Sequence, residues 1–550
     1  MLAVDTLTKL IDQYCSNSDR HYVYGTAGFR GPAATLDTVL FATGILACLR
    51  SLALKGDVIG VMVTASHNPP VDNGVKVVEP DGSMMPESWE PLATELANTL
   101  AIKGSSHERA QATHSWLQRE LKGQLQSANN SYNEGIVPTL VVGRDSRESG
   151  PKLLSCLVAS AKELFHAKIH DQGLLTTPQL HFLTSETAKG VANVTESRYY
   201  EHFLQAWDYV AQLHGIGESL PTISSLTIDA ANGIGAPKVQ ELLSQWACRG
   251  QVHFINDKWT NPELLNHECG ADFVKSNQRC PLGFNDSTGL GCSYDGDADR
   301  VVFYYINEAN EFCLLDGDRI SGLFAHFFAG ILKQAGLQSE LSLGVVQTAY
   351  ANGNSTEYLQ KTLQVPVSCA KTGVKHLHHE AVTKYDIGIY FEANGHGTII
   401  FSPKFYKVIK EQKERSVAVE TLEAFSRLIN QTVGDAISDM LGVLAALSIS
   451  KWTPEHWGQE FTDLPNRLAK VVVPDRSVFI TTDQERRLTK PEGLQQKIDE
   501  AVKCFQQGRS FVRASGTEDA VRVYAEAASL EDVEKLSNTV KELVVKSVQN

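Results

Sequence analysis

Short runs of β-branched and aromatic residues recur along this chain, each ending in a polar or glycine-rich turn and each followed by helical periodicity. That alternation predicts α/β units. The runs occupy 58–64, 139–143, 226–229, 301–305, 343–347 and 386–391. Because open α/β sheets place ligand sites beyond the carboxyl ends of their strands, the turns after these runs are where chemistry is expected. At roughly 100 to 200 residues per domain, 550 residues need several cores. Turn-rich segments divide the chain at 1–215, 216–308, 309–455 and 456–550, with connectors expected at 215–225, 306–316 and 452–467. The polar stretch 105–135 reads as a helical or loop insertion in the first division. Two apolar runs, 39–49 and 322–332, are interrupted by Thr43 and Gly44 or by His326 and fall short of the ~18 residues that span a bilayer. They are expected to be core helices.

Hydrophobic residues make up 42% and charged residues 21%, enough apolar surface to bury and too little charge for a disordered chain. The 50 Lys plus Arg against 64 Asp plus Glu leave a net charge of −14, a field that repels phosphate backbones. No nucleic-acid partner is expected, and a small anion would need a local basic pocket. Asp5, Lys9 and Asp12 interrupt the segment where a signal peptide needs an unbroken apolar stretch. The 10 cysteines form no C-x-x-C pair, so they are expected to be reduced and mostly buried. Both features point to the cytoplasm, with no membrane association and no obligate protein partner evident.

Four turns carry chemistry-bearing residues. Thr64-Ala65-Ser66-His67-Asn68-Pro69-Pro70 follows a buried-looking run and lacks the glycines of a hydrolase elbow, which argues against a serine-hydrolase triad. In Tyr294-Asp295-Gly296-Asp297-Ala298-Asp299-Arg300, three alternating carboxylates repel one another unless a cation sits among them. An EF-hand fails because Arg300 and Ile306 stand where Gly and Glu are required; the hard oxygen donors suit Mg²⁺. Arg513-Ala514-Ser515-Gly516-Thr517-Glu518-Asp519, with Arg522 after it, joins guanidinium forks, hydroxyls and a glycine-freed N–H into a cradle for a dianion, without P-loop spacing. Glu392-Ala393-Asn394-Gly395-His396-Gly397 offers a carboxylate and an amide suited to vicinal sugar hydroxyls. The histidines of 372–379 lack partners at zinc spacing and read as a substrate contact or a helix start.

In this combination and order, the sequence resembles the α-D-phosphohexomutase superfamily. The resemblance runs from Tyr24 to about Glu526 and includes Tyr24-Gly25-Thr26-Ala27-Gly28-Phe29-Arg30, Asp72-Asn73-Gly74-Val75-Lys76, 347–353 and 430–436. It implies an α/β fold of four domains, three related domains with mixed sheets plus a smaller C-terminal α+β domain, around a central active-site cleft. Glu-Ala-Asn-Gly-His at 392–396, in place of the Glu-Met-Ser-Gly-His type of loop, points within the superfamily to an acetamido sugar. The implied reaction is reversible interconversion of N-acetylglucosamine 6-phosphate and 1-phosphate through a phosphoserine and a sugar 1,6-bisphosphate, toward UDP-N-acetylglucosamine. By the same resemblance, Ser66 carries the phosphoryl group, and Asp295, Asp297 and Asp299 with Ser66 hold Mg²⁺. Arg300, Glu392, Asn394 and His396 are expected to contact the sugar phosphate. Arg513, Ser515, Gly516, Thr517 and Arg522 grip the phosphate that is not transferred. Arg30, His67, Lys76 and His376 are candidate electrostatic or acid–base participants. Ala514 stands where relatives often have proline. A glucose or mannose phosphate mutase, a silent sugar-phosphate sensor and a metal-dependent phosphatase are the competing readings.

Overall fold

A computed structural model of the chain describes residues 3–16, 20–25, 28–127, 135–286, 289–515 and 519–548. The chain forms two compact units, Met1–Leu314 with Arg427–Ser448, and Leu315–Ser426 with Ile449–Asn550.

The first unit contains two mixed sheets. One is built from β1 (Phe29–Pro32), β2 (Val58–Val63), β3 (Asp72–Val78), β4 (Thr139–Arg144) and β5 (Lys168–Leu174), ordered β1-β3-β2-β4-β5. β2, β4 and β5 run parallel, and β3 returns antiparallel to β2. Every residue of β2 is buried, which explains its unbroken apolar sequence: Ile59, Val61 and Val63 enter the main core, while Gly60 faces Thr184 of helix Thr177–Ala188. Helices Asp37–Ala53 and Gly150–Phe165 pack on each other over the first face. They come close at Gly44, where a Cβ would lie 2.3 Å from the Leu157 carbonyl oxygen. The insertion expected at 105–135 is helix Ser106–Ser127, packed through Ala110, Thr113, Trp116 and Leu117; residues 128–134 lie outside the described residues.

The second sheet is built from β6 (Leu226–Asp229), β7 (Val252–Ile255), β8 (Leu290–Tyr294), β9 (Val301–Ile306) and β10 (Phe312–Leu315), ordered β10-β9-β8-β6-β7. Here the expected connector at 306–316 takes a different form. Asn307 N–H donates to the Glu311 carbonyl, closing a turn that returns the chain into the same sheet as β10. A division at 308/309 therefore cuts a hairpin, whose polar tip has the composition of a linker. Arg427–Ser448, placed in the third division from sequence, also groups with the first unit. The Tyr199 hydroxyl donates to Asp435, Ala436 N–H donates to the Ala298 carbonyl, and the Tyr294 hydroxyl reaches Met440 Sδ.

The second unit holds a third mixed sheet of β11 (Leu343–Thr348), β12 (Val367–Ala370), β13 (Ile387–Phe391) and β14 (Gly397–Phe401), ordered β12-β11-β13-β14. Helix Gly317–Ala335, capped by the Asp316 carboxylate and ended by Gly336, buries Ile320, Leu323, Phe324, Phe327 and Phe328. The C-terminal part carries β15 (Asn466–Val472), a β16 (Ile480–Thr482) and β17 (Arg487–Lys490) pair, β18 (Arg509–Ala514) and β19 (Ala520–Glu526). β15-β19-β18 form an antiparallel sheet whose Val471, Val512, Val521 and Val523 pack under helices Leu494–Val502 and Leu530–Ser547. No helix among the described residues is long and apolar enough to cross a membrane.

Each of the three mixed sheets ends its parallel strands with one antiparallel return: β2 to β3, β8 to β9 and β13 to β14. The turns that make these returns are 64–71, 295–300 and 392–396, and 515–519 joins β18 to β19. All four chemistry-bearing turns are therefore hairpin connections held at both ends by hydrogen-bonded strands.

Gly44→Ala tests the helix packing. Alanine gains about 1 kcal/mol of helix propensity, but its methyl meets a backbone carbonyl that cannot swing away, and overpacking costs about 1–3 kcal/mol. A lowered Tm in thermal unfolding is expected, and an unchanged Tm would contradict the packing.

Candidate active site

Ser66 sits just past β2 with φ +51° and no exposed surface. A left-handed non-glycine residue costs of order 1–3 kcal/mol and persists only where the surroundings hold it. Arg147 holds this one. Its Nη2 donates to the carbonyls of Ser66 (2.8 Å) and Asn68 (2.9 Å), and its Nη1 to those of Pro69 (2.7 Å) and Asp72 (2.9 Å). Its Nε donates to Asp145 Oδ2 at 3.1 Å, which also accepts the Thr64 hydroxyl at 2.7 Å; Thr64 Oγ1 in turn accepts Ser66 N–H. Asn266 Nδ2 reaches the Ser66 and Asn68 carbonyls from the second sheet's side. Asp145 and Arg147 were absent from the sequence candidates. The available signal was their position directly after the run 139–143.

The loop between β8 and β9 presses against this turn. A Cβ on Gly296 would lie 2.5 Å from the Ser66 carbonyl oxygen, so only glycine allows the approach, and Ala298 turns the chain with φ +56°. Asp295, Asp297 and Asp299 are all buried, with ligand oxygens within 4.8 Å of one another. Ser66 Oγ donates to Asp295 Oδ2 at 2.6 Å. Lys76, in β3, lies 3.1 Å from Asp297 and 2.8 Å from Asp299, and Thr177 Oγ1 donates to Asp297 Oδ2 at 2.6 Å. Asp297 Oδ1 is buried with no hydrogen-bond partner among the described residues, a lone pair left for a group their side chains do not supply. Hard oxygen donors with one orphaned carboxylate oxygen fit a small divalent cation.

The electrostatics agree with that fit. Burial, then Asp299 and Asp297, push the Asp295 carboxyl well above the usual carboxylate range, against the pull of Arg300 and the Ser66 hydroxyl. Burial and Asp299 also push Asp297 upward, but Lys76, the Thr177 hydroxyl and Arg30 outweigh them and keep it low. Burial opposes the charge on Lys76, and its two aspartates more than restore it. His67 is pushed down to about 4 by burial and by Arg300, so it is neutral at neutral pH, with Nδ1 3.3 Å from Ser66 Oγ. Arg300 is steered by Asp272, which accepts from Nη1 with both oxygens at 2.8 and 2.9 Å. Arg30 lies under the same loop, 3.5 Å from Asn68 Oδ1. The first unit thus brings together Arg30, Ser66, His67, Lys76, Asp295, Asp297, Asp299 and Arg300.

The second unit carries the remaining candidates. Glu392 Oε1 accepts Gly373 N–H at 3.1 Å, which ties the 392–396 turn to the start of helix Val374–Lys384, where His376 occupies the first turn. Asn394 Oδ1 accepts His396 N–H, and Glu392 N–H donates to the His396 carbonyl, so the turn is braced from within. Arg513 and Arg522 are cross-strand neighbours on β18 and β19, and Lys470 on β15 lies opposite Arg522. Paired positions share a sheet face, so three cations form one row. Lys470 was also missed from sequence, where no motif marks it. Ser515 N–H donates to the Ala520 carbonyl, which closes the turn; Gly516 and Thr517 lie outside the described residues.

Family profiles match four stretches: phosphoglucomutase/phosphomannomutase alpha/beta/alpha domain I at 25–101, phosphoacetylglucosamine mutase AMG1 domain II at 187–302 and domain III at 316–452, and the phosphoglucomutase/phosphomannomutase C-terminal domain at 468–543. Phosphoacetylglucosamine mutase of Saccharomyces cerevisiae is 53% identical over 557 residues, covering 98% of this chain and 98% of the yeast protein. The chain belongs to the phosphoacetylglucosamine mutase family. A crystal structure of an N-acetylglucosamine-phosphate mutase, a member of the α-D-phosphohexomutase superfamily, in its substrate complex superposes with a TM-score of 0.90 at 46% identity, covering 99% of this chain and 100% of that one. The Aspergillus fumigatus N-acetylphosphoglucosamine mutase, in complex with GlcNAc-6P and magnesium, also gives 0.90, at 44% identity and 100% coverage of both chains. Family membership agrees with the four-domain α/β fold expected from sequence, and the four profiles follow the order of the four hairpin turns.

The raised Asp295 predicts how a cation acts. Because folded Asp295 keeps a proton that the unfolded chain has lost, metal-free stability falls as pH rises above the ordinary carboxylate range. A cation replaces that proton, so the rise in Tm on adding Mg²⁺ is expected to be larger at about pH 8 than at about pH 6. A Mg²⁺ effect independent of pH, measured by thermal unfolding, would contradict the protonated Asp295.

Proposed function

We propose that this enzyme reversibly interconverts N-acetyl-D-glucosamine 6-phosphate and N-acetyl-D-glucosamine 1-phosphate through a phosphoserine at Ser66 and a 1,6-bisphosphate intermediate, a step toward UDP-N-acetylglucosamine. The observation that carries this reading is Ser66 Oγ resting 2.6 Å from Asp295 inside a buried three-carboxylate cluster. Asp295, Asp297 and Asp299 with an oxygen on Ser66 would hold Mg²⁺. Bound there, the ion supplies Lewis-acid neutralisation of charge on the transferring phosphoryl group.

In the first half-reaction the phosphorus–oxygen bond to Ser66 breaks and a bond to the free sugar hydroxyl forms, with that hydroxyl's proton passing to a base. Ser66 Oγ regains a proton. Neutral His67, with Nδ1 at 3.3 Å, can hold or give the proton at that atom. Arg30, Lys76 and Arg300 supply fixed positive charge around the reacting group. After the bisphosphate turns over, Ser66 accepts the other phosphoryl group, which restores the phosphoserine and releases product. His376, Glu392, Asn394 and His396 contact the sugar. Arg513, Ser515, Gly516, Thr517 and Arg522 grip the distal phosphate in either orientation. We further propose domain boundaries near 215/216 and 455/456, with the middle one, read from sequence at 308/309, moved to the end of β10.

The protein acts on a small sugar phosphate, needs no protein partner, and works in the cytoplasm. The ten free thiols, mostly buried, suit a reducing compartment. A coupled assay comparing N-acetylglucosamine, glucose and mannose phosphates tests the substrate. The acetamido sugar is expected to turn over fastest, and equal rates on glucose phosphate would overturn that choice. Ser66→Ala is expected to abolish turnover while retaining the fold by thermal unfolding; near-wild-type rates would refute the phosphoserine.

A further inference from the structure

The turn between β16 and β17 brings an anion against the phosphate cradle. Glu485 Oε1 lies 3.4 Å from Arg513 Nε, with the two side chains 17% and 20% exposed. Its other oxygen, Oε2, accepts both Thr372 N–H at 2.9 Å and the Thr372 hydroxyl at 2.6 Å. One carboxylate thus bridges the fourth hairpin region to the residues that precede the His376 helix. The two ends differ in quality. Thr372 is held at hydrogen-bond distance, whereas Arg513 Nε is shut off from solvent, makes no hydrogen bond among the described residues and meets Glu485 only through the longer ion pair, its guanidinium lying beside the Tyr350 ring.

The backbone that delivers Glu485 is unusual. Asp483, Gln484 and Glu485 are consecutive non-glycine residues with φ of +51°, +54° and +69°. Such a run persists only where other contacts fix it. Arg486 supplies one such contact, its Nη2 donating to Asp483 Oδ1 at 2.6 Å and its N–H to the Asp483 carbonyl. The Glu485 contacts supply the rest.

We propose that Glu485 is an internal stand-in for the substrate's distal phosphate, pairing with Arg513 until a phosphomonoester dianion displaces it. The proposal rests on the assignment of Arg513 to the phosphate cradle. Charge decides the exchange. Arg513 stands in a cross-strand row with Arg522 and Lys470; to Arg513 Glu485 brings one negative charge, and a phosphomonoester at neutral pH brings about 1.5 to 2. A dianion therefore outcompetes the carboxylate at Arg513, and a monoanion does not. Glu485 keeps Arg513 oriented before binding, lowers the cradle's affinity for stray anions, and eases release of the distal phosphate when the bisphosphate must turn round. It is a specificity-determining residue that acts by competition.

The test is titration of the full-length protein with inorganic phosphate by calorimetry at fixed ionic strength, with steady-state kinetics alongside. Glu485→Gln keeps a group that can face Thr372 while removing the charge, and Glu485→Ala removes both. With a half-buried pair of this length, both variants are expected to bind phosphate about three- to fivefold tighter than wild type. Their KM for the sugar phosphate should fall by a similar factor with no rise in kcat. Unchanged or weaker phosphate binding in both variants, with Tm preserved, would overturn the stand-in role. Arg513→Ala separates this result from failure of the underlying assignment: loss of phosphate binding there supports the cradle, and wild-type binding there would remove the cradle and the proposal with it.

Discussion

Asp295, Asp297 and Asp299 are buried in one hairpin turn within 4.8 Å of each other. At an effective dielectric near ~20, each ionised pair at that separation repels by about 3.5 kcal/mol. Lys76 answers part of that charge, Arg300 at 3.9 Å from Asp295 and 3.8 Å from Asp299 another part, and Asp297 Oδ1 is left without a hydrogen-bond partner among the described residues. A folded protein keeps such a cluster only where something else offsets its cost, and the three carboxylates fit a divalent cation in that role. Much of the first unit's local architecture serves this contact. Gly296 permits it, Arg147 fixes the Ser66 turn, and Ala436 N–H secures the Ala298 carbonyl beneath the loop.

The hairpin rule explains how a chain with four such turns arrives at one chemistry. A turn joining a buried parallel strand to its antiparallel return is anchored at both ends by ladder hydrogen bonds, so its side chains are placed by rigid elements while its tip stays free for function. Ser66, the aspartates and Glu392 occupy such turns, and Arg513 flanks the turn of an antiparallel hairpin, β18 to β19. The second unit adds an ion pair of its own, in which Arg513 faces a carboxylate held by Thr372.

Local pattern carried much of this into the sequence. The six strand-like runs all form strands, because doubly buried strands need unbroken apolar sequence, and 39–49 and 322–332 lie inside helices Asp37–Ala53 and Gly317–Ala335. The chemistry-bearing turns were legible because carboxylates at alternate positions, or arginines beside glycine and hydroxyls, have few other uses. What escaped depends on contacts across long sequence separations. Arg147 acts on carbonyls of 66–72, which have no side-chain signature; Lys470 comes beside Arg522 only through strand register; Glu485 reaches Arg513 only through the β16–β17 turn. The tip at 307–310 misled because a hairpin turn and a linker share the same polar residues. The buried state of Ser66 was hidden for a related reason, since Thr-Ala-Ser-His-Asn-Pro reads locally as an exposed turn.

The central claim is that Ser66 carries the phosphoryl group exchanged with substrate. Incubating the full-length protein and Mg²⁺ with a sugar 1,6-bisphosphate, followed by intact mass and peptide-mapping mass spectrometry, tests it directly. The account predicts one phosphoryl increment per chain, located on Ser66 and lost on addition of excess monophosphate substrate. An increment on another residue, or turnover with no phosphorylated chain at any point, would contradict it.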